Sequence, residues 1–414
     1  MHRVRQSLPY FKELGWEPVV LTVDESFVEA YSTDPLLLKT VPEDIEVYKV
    51  AAWDVKKTRR YGLGSLSMRS YFYFKKKGDE LLSRHKFDLV YFSTTAFHVM
   101  ALGPRWKRKF NVPFILDIQD PWRNDFYLDK PKSERPPKFF ISYTIDKWLE
   151  ARTVPYADGI IAVSQAYCDT LMQRYPSMQK DRFRVIPFGA SEYDFEIMRQ
   201  HVTHVDRVVL KKDKINLVYI GRGGHDMRTA LEIIFKAFSK GLSEQSQLFS
   251  KAHFWFIGTS YASAGQGNKT IEPIAAEYAV AGYITEITDR IPYFDTLYLL
   301  DKTDVLIIPG STDEGYTASK IFPYLLARKA LLAVFNSSSS VVTLLRDIGF
   351  KSVVTFSNRE SISEATQNCY LQLSDRLNNI IEDTPFDQTV FESFRARSRT
   401  KEQVHFFNET IARR

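Results

Sequence analysis

The residues best suited to bind an anion form the segment Gly221-Arg222-Gly223-Gly224, which follows the apolar stretch Leu217–Ile220 and precedes a helical pattern. A strand that ends in a glycine-rich loop and leads into a helix presents backbone N–H groups and the positive end of a helix dipole to a phosphate. Arg222 and Arg228 flank the loop, and an arginine fork matches phosphate oxygens. The spacing is not a dinucleotide fingerprint, because Asp226 replaces its last glycine, and no P-loop Gly-Lys-Ser/Thr follows. We predict a phosphate cradle here; the alternative is a plain turn with surface arginines.

Two further segments place carboxylates after apolar strands. Asp313 and Glu314 lie in the loop that follows the stretch Val305–Ile308, and Asp117 and Asp120 lie at the end of another strand. Open α/β sheets bind ligands beyond the carboxyl ends of their strands, and a carboxylate there can accept hydrogen bonds from sugar hydroxyls or take a proton from one. The alternatives are solvated loop residues for the first pair and turn caps for the second.

The elements that must position these residues alternate along the whole chain. Short apolar stretches are separated by longer helical ones, which predicts parallel α/β architecture. A helix is predicted over Arg3–Leu14 and an amphipathic helix over Phe391–Ile411. The charged, poorly periodic stretch 196–213 is interpreted as a linker. The predicted organisation is therefore a first domain over 1–195, a second over 214–390, and a C-terminal helix over 391–414 that crosses back to the first domain.

Composition excludes several classes of protein. The chain has 414 residues, of which 44% are hydrophobic and 26% charged, values typical of a globular protein of two or three domains. Its two cysteines, Cys168 and Cys369, cannot form a disulfide framework. No apolar run approaches the roughly 18 residues of a spanning helix, and the first residues lack the apolar region of a signal peptide. We therefore expect a cytoplasmic protein.

Positive charge is concentrated in one region. The net charge is +6, but residues 51–110 contain 14 Lys and Arg against 4 Asp and Glu. This excess predicts peripheral contact with an anionic membrane surface at the inner face of the membrane, with a solvated face as the alternative. Nucleic acid is not an expected partner, because no nucleic-acid-binding motif accompanies the charge.

In their order, these motifs resemble those of a family-4 glycosyltransferase of the GT-B class. The resemblance covers nearly the whole chain. It rests on the segments Asp117–Trp122, Ala157–Ser164, Val185–Gly189, Tyr219–Arg222, Thr303–Pro309, Glu314–Tyr316 and Phe394–Thr400. It implies an α/β GT-B fold, with two Rossmann-like parallel domains facing a central cleft. It also implies a nucleotide-sugar donor bound mainly by the second domain and an acceptor bound mainly by the first.

The resemblance also assigns roles to residues. Arg222 and Arg228 match the family's two cations on the diphosphate, and Glu314 matches its glutamate on the transferred sugar. Asp117 and Asp120 are the candidates to orient or deprotonate the acceptor hydroxyl. No metal and no cofactor are expected. The predicted donor-binding residues are Gly221, Arg222, Gly223, Gly224, Arg228, Gly258, Gly315, Tyr316 and Lys320, and the predicted catalytic residues are Asp117, Asp120 and Glu314.

Two departures from the family pattern stand out. The second family glutamate, which binds the nucleotide ribose, is replaced by Phe322 or, in a shifted alignment, by Pro323. Since proline is tolerated only in a helix's first turn, this helix is predicted to begin no earlier than about Ser319, leaving Glu314–Ala318 as a loop. The chain also lacks a strand before the first helix, so we expect either an upstream start or an incomplete first domain.

The sequence thus predicts a retaining glycosyltransferase that moves a sugar from a nucleoside diphosphate sugar to a hydroxyl acceptor, a glycan or a lipid-linked sugar. Two alternatives remain open. One is a GT-B sugar-nucleotide epimerase, which would use the same donor cradle without an acceptor. The other is a non-catalytic nucleotide-sugar-binding or scaffold protein, which the missing second glutamate favours.

Overall fold

The computed structural model describes residues 2–28, 34–59, 64–128, 131–132, 135, 138–312, 320–350, 352–357, 359–380 and 386–414. The chain divides into two compact units. The first comprises Met1–Gly189 together with Ala396–Arg414, and the second comprises Ala190–Arg395. The stretch 196–213 falls inside the second unit.

The first unit is an α/β unit with two parallel sheets. Its strands are β1 Val19–Val23, β2 Glu46–Val50, β3 Val90–Ser93, β4 Phe114–Ile118, β5 Gly159–Ala162 and β6 Phe183–Val185. Its helices are α1 His2–Phe11, α2 Val55–Arg59, α3 Leu66–Arg84, α4 Gly103–Phe110, α5 Phe139–Thr153 and α6 Gln165–Arg174. Strands β1 and β2 pair with each other, and β3–β6 form a separate sheet in chain order.

The central strands of this unit are covered on both faces. Every residue of β4 and β5 is buried, as expected for a parallel sheet packed between helices. One face packs against α3, α4 and neighbouring turns through Phe92, Trp106 and Phe114. The other packs against the two ends of the chain, where Phe11 lies near Phe407.

The second unit contains one six-stranded parallel sheet. Its strands are β7 Ile215–Ile220, β8 Ala252–Ile257, β9 Ile284–Ile287, β10 Val305–Pro309, β11 Ala330–Asn336 and β12 Val353–Phe356. Its helices are α7 Glu192–His201, α8 Arg228–Glu244, α9 Ser246–Phe249, α10 Glu272–Glu277, α11 Tyr293–Lys302, α12 Ile321–Leu326, α13 Ser340–Asp347, α14 Arg359–Asn378 and α15 Gln388–Glu392; the last helix of the chain is α16 Ala396–Ala412 in the first unit.

The strand order β12-β11-β10-β7-β8-β9 is that of a doubly wound sheet. The order reverses between β7 and β10, which are neighbours in the sheet although three crossovers separate them in sequence. Loops after these two strands therefore diverge to opposite faces and leave a crevice at the sheet's carboxyl edge. That edge holds the predicted phosphate loop.

Two predictions about helices are wrong. The stretch interpreted as a linker begins with α7, whose Phe195, Ile197 and Met198 are buried; its exposed charged face concealed this apolar side in the sequence. The amphipathic helix predicted over Phe391–Ile411 is interrupted between α15 and α16, where Ala190 N donates to Phe394 O at 2.8 Å. This backbone pairing occurs at the point where the chain leaves the second unit.

Candidate active site

The glycine-rich loop is held against the end of β8. Gly221 N donates to Ile257 O at 2.9 Å, and Gly223 N donates to Thr259 O at 2.8 Å. A Cβ on Gly223 would lie 2.6 Å from Thr270 Oγ1, so only glycine permits this close approach. The loop therefore takes its path from packing, as the glycine spacing predicts, and leads through a short 3₁₀ turn, His225–Met227, into α8.

Arg222 and Asp226 form a bidentate ion pair within this loop. Arg222 Nη1 lies 2.8 Å from Asp226 Oδ1, and Nη2 lies 2.5 Å from Oδ2. The pair is bridged to the loop after β10, because Ser311 Oγ donates to Asp226 Oδ2 at 2.6 Å and Thr312 N donates to Asp226 O at 2.9 Å. The hydrogen bonds from Arg222 hold the pKa of Asp226 below its usual value. Asp226 thus joins the two loops that border the crevice.

Arg228, the second predicted diphosphate ligand, is the first residue of α8. Its Nε donates to Glu232 Oε1 at 2.8 Å and its Nη2 to Glu277 Oε2 at 2.5 Å, and the hydrogen bond to Glu277 raises the pKa of Arg228. In this arrangement its guanidinium pairs with two carboxylates, and a diphosphate would compete with them for its N–H groups. Its predicted donor role stays a prediction.

Three cations converge at the carboxyl edge of the sheet. Burial, together with the positive charges of Arg290 and Arg222, lowers the pKa of Lys320 to about 8. Lys320 immediately precedes α12, Arg290 follows β9 and Arg222 follows β7, so three separate strand ends contribute. Like charges held together destabilise one another, and a bound anion would relieve the repulsion that the Asp226 carboxylate does not already offset.

Arg290 is a residue that the sequence analysis missed. It stands beside Gly258, whose φ of +73° favours glycine; a Cβ there would lie 3.7 Å from Arg290 Cα. The guanidinium lies over the ring of Tyr261, with Cζ 3.9 Å from the ring centroid. A cation three residues beyond a strand end was the available signal. Gly258, predicted as a donor residue, is thus favoured by its left-handed backbone conformation and not by a close approach of Arg290.

A buried carboxylate orders the neighbouring segment. Glu286, in β9, is only 3% exposed. It accepts hydrogen bonds from Thr259 Oγ1 at 2.7 Å and from the backbone N–H groups of Ile271 and Glu272, each at 2.9 Å. These bonds fix the start of α10 against the glycine-rich loop. No sequence pattern indicates this role, since Glu286 resembles any polar residue in an alternating strand.

The predicted catalytic Asp117 is fully buried in the first unit. Arg3 Nε lies 3.0 and 2.9 Å from its two carboxylate oxygens, and Ser93 Oγ and Gln119 Nε2 each donate to Oδ2 at 2.6 Å. Arg3 also donates to Ile186 O at 2.6 Å. The geometry shows a buried ion pair that ties α1 to the ends of β4 and β6. Asp117's role toward an acceptor stays a prediction.

Asp120 differs from Asp117 in being exposed. Partial burial of its carboxylate raises its pKa above the ordinary value. It is followed by Pro121 and by Trp122, a buried ring stacked on Phe97 at 5.8 Å. Of the two predicted aspartates, Asp120 is the one with access to solvent.

Three predicted residues, Glu314, Gly315 and Tyr316, lie in 313–319, outside the described residues. The prediction for the following helix is confirmed, because α12 begins at Ile321 and Pro323 lies in its first turn. Phe322 is 6% exposed and packs 6.1 Å from the ring of Phe394. The side chain at the family's ribose position is therefore part of the core.

Two features are absent from the described part of the chain. It contains no cluster of three His, Cys, Asp or Glu side chains placed to hold a metal ion. Within the same residues, no helix combines the length and apolar character needed to cross a membrane.

Solved structures with the same architecture are distant in sequence. HepE of Anabaena, in complex with UDP, superposes with a TM-score of 0.53 at 12% identity, covering 95% of this chain and 100% of the other. An E. coli structure described as trehalose-6-phosphate bound with UDP-2-fluoro glucose gives 0.52 at 12% identity, covering 95% and 99%. No curated protein sequence matches the chain. These likenesses establish the fold, an α/β fold of the GT-B class.

The chain therefore has a GT-B fold. A family model described as Glycosyltransferase Family 4 matches residues 3–191, which confirms the resemblance to family-4 glycosyltransferases stated from the motifs.

Proposed function

We propose that this protein is a retaining glycosyltransferase that takes its sugar from a nucleoside diphosphate sugar. The observation that carries the proposal is the convergence of Arg222, Arg290 and Lys320 at the carboxyl edge of the second unit's sheet. A diphosphate leaving group develops negative charge as the sugar departs, and fixed cations stabilise that charge. Support for a uridine nucleotide comes from the similar Anabaena and E. coli structures, which contain UDP and UDP-2-fluoro glucose.

The acceptor is proposed to be a hydroxyl of a glycan or lipid-linked sugar. Asp120 is the proposed group to orient that hydroxyl, because its carboxylate is exposed whereas that of Asp117 is committed to Arg3. Glu314 is proposed to contact the transferred sugar, as the resemblance implies. The reaction exchanges the bond from the sugar's anomeric carbon to the diphosphate for a bond to the acceptor oxygen, whose proton leaves with the diphosphate or with solvent.

The test is nucleotide binding by matched variants. Calorimetric titration with UDP should show that Arg222→Ala and Arg290→Ala each weaken binding by about 1.5–3 kcal/mol, the range for a charged hydrogen bond. Arg346→Ala is the control, because Arg346 is exposed in the last turn of α13, whose antiparallel course puts it at the other edge of the sheet. If both site variants bound UDP, GDP and ADP as the parent does, the donor site would be misassigned.

Product analysis separates transfer from the two alternatives. A glycosyltransferase incubated with labelled UDP-sugar and acceptor releases UDP and forms a new glycoside. An epimerase changes the sugar without net release of a glycoside product, and a binding protein leaves the donor intact. Formation of labelled glycoside that depends on Arg222 is the expected result.

A further inference from the structure

We propose that the outer face of α5 docks the first unit onto an anionic membrane surface. The face is defined by Phe140, Ile141, Lys147, Trp148 and Arg152. The three apolar side chains are 53%, 63% and 56% exposed, unusually high values for large hydrophobic residues. The inference is independent of the donor site, which lies in the other unit.

The positions on the helix explain how this face arises. At about 100° per residue, Ile141, Trp148 and Arg152 fall within roughly 20° of one line, while Phe140 and Lys147 lie roughly 100–120° to one side. The exposed face is thus an arc of about 140° that combines rings, an aliphatic side chain and cations. The side chains on the opposite face, Phe139, Glu150 and Thr153, are buried.

The acidic residues of α5 are turned inward. Glu150 is 1% exposed and accepts hydrogen bonds from Arg174 Nη1 at 3.1 Å and Tyr175 OH at 2.9 Å. Asp146 is the helix's other carboxylate, and only 23% of its side chain is exposed. The cations Lys138, Lys147 and Arg152 are all exposed. The outer face therefore carries positive charge without compensating carboxylates from its own helix.

The combination of rings and cations indicates which kind of partner binds the outer face of α5. Aromatic rings flanked by Lys and Arg are the composition of helices that lie in a bilayer interface, where rings enter the headgroup layer and cations meet anionic lipid. The guanidinium of Arg152 lies 4.3 Å from the centroid of the Trp148 ring, so ring and cation present one amphipathic surface. A neutral protein partner would gain nothing from the cations.

The region with the largest excess of basic residues fits a membrane less well than the sequence predicts. Lys77 pairs with Glu80 at 3.1 Å, Arg105 with Asp79 at 2.7 Å, and Lys107 with Asp158 at 2.7 Å. Part of its charge is therefore paired within the fold. The contact proposed here uses α5, and the contact predicted for the basic clusters of 51–110 stays a prediction.

The experiment is co-sedimentation of the full chain with vesicles of phosphatidylcholine, alone or mixed with phosphatidylglycerol. The parent should bind only the anionic vesicles, and binding should fall as salt shortens the Debye length from about 8 to about 3 Å. Lys147→Gln with Arg152→Gln should weaken binding about 25-fold, at roughly fivefold per cation. Ile141→Ser with Trp148→Ser should weaken it by about tenfold or more.

The control variant carries Leu371→Ser and Lys401→Gln, an exposed apolar residue and an exposed cation on other helices. It should bind within about twofold of the parent, the scale of an uninvolved surface site. All variants should keep the parent's thermal shift with UDP, which separates this test from that of the donor site.

Three outcomes would overturn the proposal. The parent could fail to bind anionic vesicles at low salt. The α5 variants could bind the vesicles as the control does, including the case in which the double variant Lys75→Gln with Lys76→Gln abolishes binding while the α5 variants do not. Finally, light scattering could show a parent dimer that the α5 variants convert to monomer, which would make this face a subunit interface.

Discussion

Replacing Lys320 with methionine should make the ligand-free protein more stable and the donor site weaker. Methionine keeps most of the apolar stem but removes the ammonium that burial, Arg290 and Arg222 disfavour. A pKa lowered from 10.5 to about 8 corresponds to roughly 3 kcal/mol of cost for keeping Lys320 charged at neutral pH. For a unit of this size that is about 6–12 °C in the midpoint of its thermal transition.

The pH dependence of stability provides a second test of whether Lys320 destabilises the ligand-free protein. Between about pH 8 and 10.5 the unfolded chain holds a proton on Lys320 that the folded unit has lost. The destabilisation of the parent by charged Lys320 therefore decreases as pH rises across that window, and it has its full value below pH 8. The gap between Lys320→Met and the parent should close as pH rises from 8 toward 10.5.

Calorimetry with and without UDP is the assay. UDP at 100 times its dissociation constant should stabilise the parent by about 2.7 kcal/mol, and it should shift the Lys320→Met transition far less. Lys251→Met is the control, an exposed lysine just before β8, at the other edge of the sheet. A ligand-free Lys320→Met protein that melts below the parent, or one that responds fully to UDP, would refute the reasoning.

Three further results are expected. Arg3→Met leaves the buried Asp117 without its cation and should lower the free energy of unfolding of the first unit by about 3–5 kcal/mol, as measured by urea titration, with partial recovery in the double variant with Asp117→Asn. Gly78→Ala should destabilise by about 1–3 kcal/mol despite alanine's better helix propensity, because the new Cβ would lie 2.2 Å from Trp106 Cζ2; a rise in the urea midpoint would contradict this. Burial raises the pKa of Asp146 to about 6, so folding takes up a proton between about pH 4 and 6, and the stability contributed by this group falls as pH rises through that window. In a plot of melting temperature against pH, Asp146→Asn should remove the corresponding slope. An unchanged slope would exclude Asp146 as its source.

The sequence allowed prediction of the parallel strands whose residues are apolar on both faces. β5 and β10 are continuous apolar runs, and β4 and β7 are interrupted only by Asp117 and Asn216; each is adjacent to a helix and occurs where predicted. β2, Glu46–Val50, was missed because its residues form neither a strict alternation nor a continuous apolar run, and only Val50 is buried. Its single partner, β1, is distant in sequence, so only the folded unit shows why the segment is extended.

The sequence allowed individual residues of the candidate site to be predicted, but not the spatial grouping of those residues. Arg222 and Lys320 follow from motifs, whereas Arg290 has no motif and joins them only because the sheet order brings the ends of β7, β9 and β10 to one edge. The sequence also did not indicate which groups pair with a buried charged side chain. Nothing in the spacing of Asp117 indicates that an arginine at position 3 neutralises it. Such long-range pairings depend on tertiary structure and not on local pattern.

The position of α16 determines the order in which the two units can complete their folding. Val404, Phe406 and Phe407 pack against Ile115 and Ile161 of the first unit's central strands, although the whole second unit precedes them in the chain. Residues 190–395 are contiguous and contain all the strands of their own sheet, so during synthesis they can fold as soon as they emerge. The first unit is made earlier, and Leu8 and Phe11 of α1 can already pack on the same apolar face of its sheet. The part of the face that α16 covers stays exposed until α16 leaves the ribosome. Synthesis thus exposes that part of the face for the entire time needed to translate the second unit, and this interval is when the chain is most open to misassembly or to chaperone binding.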